Sequence, residues 1–163
     1  MRFLWLGLVA VVAGAQGPLA ELRQMYSGVK NNIIRMAEKM PEEHYSFKPV
    51  PEIRSFGELM AHIADSQARN CSAVLGEVKQ LNAASKTRKD DLVAALKESF
   101  QICDQAYESL TEDNARQMVK GPRGERSKAG ILVGNLSHSN EEYGYGAVYL
   151  RLKGIVPPSS ERR

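Results

Sequence analysis

The chain has no block of like charge. Its 22 Lys and Arg against 19 Asp and Glu give a formal +3 over 163 residues, spread along the whole sequence, which argues against the concentrated basic surface that nucleic-acid binding needs. Aromatic residues make up only 7%, and the alternation of β-branched residues that marks strands is nearly missing. A β fold is therefore disfavoured. Internal repeats and low-complexity tracts are absent. Histidine and cysteine are scarce, three and two residues, so any metal or thiol chemistry must rest on a very small set of side chains.

The most apolar stretch, residues 3–13, follows Arg2 and runs into Ala13-Gly14-Ala15. It falls short of the roughly 20 apolar residues of a spanning helix. A basic start, a short apolar run and a small-residue end read as a signal peptide over residues 1–15, with a retained anchor as the alternative. The expected location is exported, in the periplasm or the medium, with no stable membrane span after cleavage. No cysteine stands at the cleavage position, which disfavours a lipoprotein anchor. Removing Arg2 leaves 21 basic and 19 acidic residues, or +2, a balance that names no partner. Residues 16–163 are of a size for one domain with one core, helped by 43% hydrophobic residues overall.

Four helices are predicted. The first opens at Pro18 and carries Leu19, Leu22, Met25, Tyr26, Val29, Ile33, Met36 and Met40 at steps of three and four, ending at Pro41. A stiff connector, residues 41–54, contains three prolines. Ser55-Phe56-Gly57-Glu58 is a capping box for the second helix, which should run to about Leu75 with Phe56, Leu59, Ile63, Gln67, Asn70 and Val74 on one face. Thr87-Arg88-Lys89-Asp90 reads as a capping box for the third, with the seam Leu92, Leu96, Phe100, Cys103, Tyr107 and Leu110. Residues 111–127, broken by Gly121-Pro122-Arg123-Gly124, are expected to hold a short irregular helix. The fourth helix spans Lys128 to Lys153 and is stopped by Gly154.

The linker of residues 77–88 is long for an antiparallel turn. Twelve extended residues reach about 40 Å, enough to return along a helix, and such a crossover would make the second and third helices parallel. Cys71 and Cys103 each lie well into their helices. A parallel pair would set them level and permit a disulfide, whereas a hairpin would hold them roughly 15–20 Å apart as free thiols.

In the fourth helix one seam reads Ile131, Asn135, His138, Glu142, Tyr145, Tyr149 and Leu152. Its middle is polar, and polar groups in a core need partners, since leaving one unsatisfied costs about 1–3 kcal/mol. His138 and Glu142 are one turn apart and can converge on one cation, or they can bond each other. A third ligand must come from another helix, and His62, at the border of the second helix's apolar face, is the histidine placed for it. Such a set suits Zn²⁺, with Ni²⁺, Mn²⁺ or Fe²⁺ as alternatives. His44, in the connector, is either a rim residue that shuttles protons or a solvated loop histidine. Tyr143, Tyr145 and Tyr149 either line the pocket or pack in the core.

The stretches Phe56-Gly57-Glu58-Leu59-Met60-Ala61-His62-Ile63-Ala64-Asp65 and His138-Ser139-Asn140-Glu141-Glu142-Tyr143-Gly144, followed by Tyr149-Leu150-Arg151-Leu152-Lys153-Gly154-Ile155-Val156-Pro157-Pro158-Ser159-Ser160, resemble the DinB-like family over nearly all of residues 16–163. That resemblance implies an all-α four-helix bundle in up-down-down-up order, with a crossover between parallel second and third helices. It also implies a metal site with one histidine on the second helix and a His-x-x-x-His pair on the fourth. His62 and His138 match the first two positions, and Glu142 stands where histidine is expected. The departure implies an altered metal preference, a weaker site or a lost one, because a carboxylate adds negative charge beside the ion.

Two functions follow. One is a metal-dependent enzyme acting on a small molecule, a hydrolase or a thiol-dependent transferase of the kind the resemblance implies, with Glu141 or Asp65 orienting a nucleophile. The other is an exported bundle without catalysis that binds a metal or small ligand, or has lost its metal. Neither Cys71 nor Cys103 has a sequence context that lowers its pKa. A homodimer is compatible with the sequence and not demanded by it.

Overall fold

The computed structural model describes residues 17–121 and 124–161; the expected signal peptide lies outside them. Four helices carry the fold: α1 (Pro18–Lys39), α2 (Phe56–Leu75), α3 (Lys89–Ser109) and α4 (Lys128–Leu152). Short 3₁₀ turns at Glu42–His44, Ala83–Ser85 and Pro158–Ser160 punctuate the connections. None of the described helices is long and apolar enough to cross a membrane.

Side-chain contacts fix the order of the bundle. A Cβ on Gly57, early in α2, would sit 3.3 Å from Leu92, early in α3, and Cys71 is bonded to Cys103 further along both helices. The two helices are therefore parallel. Arg23 at the start of α1 donates to the carbonyls of Tyr107 and Leu110 at the end of α3, so α1 and α3 are antiparallel. His62 meets His138 while Asn70 meets Asn135, which sets α4 antiparallel to α2. The result is the up-down-down-up order.

The crossover between α2 and α3 is held along its length. Gly76 adopts a left-handed conformation at φ 99° and closes α2. Lys79 N–H then donates to Ser72 Oγ at 2.8 Å, and Asp65 accepts from Ala83 N–H at 2.8 Å and Ala84 N–H at 3.1 Å. The chain thus runs back along α2 with its backbone donors satisfied by α2 side chains. Both cysteines are in the disulfide, and among the described residues no free cysteine remains.

The core lies where the four seams meet. Met36, Met60, Ile63, Leu96, Phe100 and Leu132 are fully buried, and Tyr26 stacks on Tyr107 with ring centroids 3.9 Å apart. The expected seams of α2 and α3 hold, apart from a half-buried Asn70. Met25 of α1 is instead exposed.

Three further expectations need correction. Residues 111–117 form turns where a short helix was expected, and β1 (Met118–Gly121) then pairs antiparallel with β2 (Gly124–Ser127), with Gly121 opposite Gly124. Strands of four residues are too short to show periodicity, and Gly124 supplies the φ of +97° that helix formation would forbid. Arg88 rather than Thr87 is the N-cap of α3, without a side-chain cap, and Asp90 and Asp91 in the first turn complement the positive end of the helix dipole instead. In α4, Tyr145 and Leu152 are 52% and 57% exposed. A 3.6-residue helix drifts about 20° per heptad from a straight seven-residue seam, so the buried stripe moves to Tyr143, Gly146 and Leu150.

Candidate metal centre

The start of α2 is tightly specified. Ser55 Oγ accepts from Glu58 N–H at 3.2 Å and Glu58 Oε2 accepts from Ser55 N–H at 2.6 Å, the full capping box. Gly57 comes close to the connector: its N–H donates to the Tyr45 carbonyl at 2.8 Å, and a Cβ there would meet that oxygen at 3.2 Å. Tyr149 of α4 donates to the Arg54 carbonyl at 2.6 Å and ties the connector's end to the fourth helix. His62 follows two turns into a helix whose origin is thus fixed on three sides.

A buried polar ladder sets α4 against α2. Gln67 Nε2 donates to Ser139 Oγ at 2.9 Å, Ser139 Oγ donates to the Asn135 carbonyl at 2.7 Å, and Asn135 Nδ2 donates to Gln67 Oε1. Gln67, Asn135 and Ser139 are at most 2% exposed. Slippage of either helix would strand several of these groups without partners. The ladder fixes the register one turn from His138.

That register brings the three expected residues together. His62 Nε2 lies 3.1 Å from His138 Nε2 and 3.3 Å from Glu142 Oε1, and His138 Nε2 lies 3.2 Å from the same carboxylate oxygen. The triangle is nearly equilateral. Donor atoms held about 2.0–2.1 Å from a tetrahedral ion stand about 3.3–3.4 Å from one another, so its edges match one face of such a site. Both imidazoles are 30% exposed at their side chains and Glu142 only 8%.

Hydrogen bonds alone leave the triangle frustrated. With Glu142 ionised, its Oε1 can only accept. If both Nε2 atoms carry protons, the two N–H groups face each other; if either lacks one, its lone pair faces the carboxylate. Every tautomer sets like against like on at least one edge. Among the described residues, Glu142 Oε2 is also buried with no partner. A cation at the centre relieves the conflicts along the three edges, and the donor set therefore fits a divalent metal.

The electrostatics agree. Burial, reinforced by the Arg54 cation and then by His138, holds His62 at about 4. A ring that is neutral at neutral pH, with its proton on Nδ1, offers Nε2 as a lone pair. Burial pushes the Glu142 carboxyl up, opposed by His138 and Arg54; an adjacent cation would offset that cost.

His62 and His138 also form part of the wall of a cleft of about 230 Å³, together with Arg69, Asn70, Arg126 and Asn135. Two of the three donors thus border the cleft, and Glu142 does not line it.

Other sequence candidates fall elsewhere. His44 sits half-buried in the Glu42–His44 turn and lines neither cavity that His62 borders. The Asp65 carboxylate is occupied by two backbone N–H groups of the crossover, and Glu141 is exposed and accepts from Tyr145. Tyr143 pairs with Ser159 and Tyr149 with the Arg54 carbonyl, so both are structural. Arg69 and Arg126 at the cleft were not singled out from the sequence. The hairpin that carries Arg126 gave no periodic signal, and Arg69 lies outside the apolar seam of α2.

Residues 20–145 match the sequence model of the DinB superfamily. Among solved structures, a DinB-like protein from Bacillus cereus superposes with a TM-score of 0.73 at 14% identity, over 84% of this chain and 93% of that one. A DinB-like protein from Bacillus subtilis gives 0.68 at 20% identity, over 88% and 99%. A mycothiol-dependent maleylpyruvate isomerase gives 0.65 at 17% identity, over 82% of this chain and 61% of that longer one. At these identities the likeness is one of fold. No curated protein matches the chain.

Proposed function

The chain belongs to the DinB superfamily, and from that premise we propose that it is an exported metal-dependent enzyme in which His62, His138 and Glu142 hold a divalent cation beside a small-molecule cleft. The observation that carries this reading is the triangle of three donor atoms with 3.1–3.3 Å edges, two of whose residues, His62 and His138, line the cleft. Zn²⁺ is the first candidate because two imidazoles and one carboxylate at these spacings suit a tetrahedral ion without ligand-field preference; Ni²⁺, Mn²⁺ and Fe²⁺ are the alternatives.

Such a cation supplies Lewis acidity, polarising a substrate oxygen and acidifying the proton of a nucleophile. The protein's own share is positioning. The α2 capping box and the Gln67–Asn135–Ser139 ladder hold the two imidazoles with their Nε2 atoms towards each other. Glu142 brings one negative charge where a third imidazole would bring none. This lowers the net charge of the centre and favours modest substrate activation over the stronger pull of a three-histidine site.

Export is supported by the basic-apolar-small pattern of residues 1–15 and by the Cys71–Cys103 disulfide, a bond that persists in oxidising compartments. An oxidising destination favours water as the nucleophile, making hydrolysis the first reading. Thiol-dependent transfer is the second, motivated by the fold shared with the mycothiol-dependent isomerase.

Thermal unfolding with added metal tests the pocket. At about 100 times its dissociation constant a cation should stabilise the wild type by about 2.7 kcal/mol, whereas His138→Ala should gain almost nothing. Equal gains in both proteins would overturn the assignment.

A further inference from the structure

Arg69 of α2 and Arg126 of β2 line the same cleft as His62 and His138, and among the described residues no carboxylate lines it. Neither guanidinium has an ion-pair partner among the described residues, although most of the other close charge contacts in the protein are cation–carboxylate pairs on the surface of the bundle. We infer that the cleft is a recognition site for a small oxyanion, a carboxylate or phosphate group, which Arg69 and Arg126 hold beside the His62–His138–Glu142 centre.

Arg126 is placed rather than merely nearby. Its Nη2 donates to the Gly130 carbonyl at 2.7 Å, and the Nη1–Nη2 end of its guanidinium abuts α4 at Gly134, which has no side chain. A Cβ on Gly134 would stand 3.1 Å from Nη2 and 3.3 Å from Nη1. One donor is thus spent on positioning, and among the described residues the fork makes no other hydrogen bond. Arg69 is half-buried and its side chain makes no hydrogen bond among the described residues. Two planar forks with free donors match the geometry of a carboxylate or phosphate. Asn70 borders the same space and can contribute a further polar contact. A cleft of about 230 Å³ is smaller than the cavities that take drug-sized ligands, roughly 300–1,000 Å³, so the anion is a compact molecule or the charged end of one.

Glycine at position 134 gains a specific reason from this arrangement. In mid-helix it is less favourable than alanine, yet it leaves the space that the end of the Arg126 fork occupies. A methyl group there would lift the guanidinium off α4 while improving the helix.

The inference deepens the metal-centre reading and takes its functional meaning from it, but its test does not need the metal. Isothermal titration of the full chain should show succinate, inorganic phosphate or both binding, with and without EDTA, and the uncharged succinamide not binding. Arg69→Gln and Arg126→Gln should each weaken binding by about tenfold or more. Gly134→Ala should weaken it while leaving the melting temperature equal or higher. Lys97→Gln, which removes one remote charge paired with Glu38, should leave binding unchanged. Succinate binding alone assigns a carboxylate, and phosphate binding alone assigns a phosphoryl group. Failure of both anions to bind, equal binding of succinamide, or unchanged binding in both arginine variants overturns the inference and leaves the metal reading standing. Loss of all anion binding in EDTA would instead assign the anion to the metal, and would overturn it as well.

Discussion

His62 and His138 present their Nε2 atoms to each other at 3.1 Å from positions 76 residues apart in the chain. Two imidazole nitrogens approach this way only when a proton or a cation lies between or beside them. Glu142 Oε1 completes the face, and no single assignment of protons satisfies its three edges with the carboxylate ionised. The bundle is therefore built to hold these groups in mutual conflict unless a cation is bound. Such local frustration is expected where function, and not stability alone, has set the side chains.

The position of α4 depends on a close approach to α1. A Cβ on Gly146 would stand 2.4 Å from Met36 Sδ and 2.5 Å from its Cε, and Met36 is fully buried. Gly146→Val should cost about 1–3 kcal/mol through overpacking, measured by urea unfolding. Adding Met36→Ala should recover part of that loss, because the two changes act on one volume.

The Cys71–Cys103 bond closes a loop of 32 residues between the parallel helices. Chain entropy assigns such a loop about 3–4 kcal/mol. The Cys71→Ala, Cys103→Ala double variant should lose about that much in chemical denaturation. Metal affinity should fall far less, since His62 and His138 are held by the capping box and the Gln67 ladder. An equal collapse of both would show that the disulfide positions the site.

The N-terminus of α2 gives a pH signature. Ser55 N–H, and then Lys48, hold the Glu58 carboxyl below its ordinary value. A depressed carboxylate contributes stability that is complete above the unfolded-state pKa and is lost as pH falls through the folded one. The stability difference between wild type and Glu58→Gln should therefore be constant near neutrality and shrink below about pH 4.5. Ser55→Ala should cost about 1 kcal/mol. Both are read from unfolding curves across a pH series.

Much of this was legible in the sequence because its signals were local and periodic. The steps of three and four in α1 and α3, the Ser55–Glu58 box and the Gly154 stop are each written within a few residues. The length of the 77–88 linker even carried the parallel pairing of α2 and α3. His138 and Glu142 could be paired by helix geometry, while His62 depended on a contact across the bundle. What escaped was non-local or short. The Gln67–Asn135–Ser139 ladder joins helices 68 and 72 residues apart, and Gln67 looked like one more residue on an apolar face. The hairpin has four-residue strands, below the length at which alternation can be recognised, so Arg126 and its approach to Gly134 could not be foreseen. The straight α4 seam failed at Tyr145 and Leu152 because a real helix drifts away from a seven-residue repeat.

The central claim is that the His62–His138–Glu142 triangle holds a divalent cation, and elemental analysis of protein purified from an exporting host tests it most directly. The wild type should carry close to one equivalent of Zn²⁺ or another divalent transition metal per chain. His138→Ala should carry almost none, and Glu142→His should retain a full equivalent. A well-folded wild type that holds no metal, and takes up none on exposure to Zn²⁺, Ni²⁺, Mn²⁺ or Fe²⁺, would contradict the account.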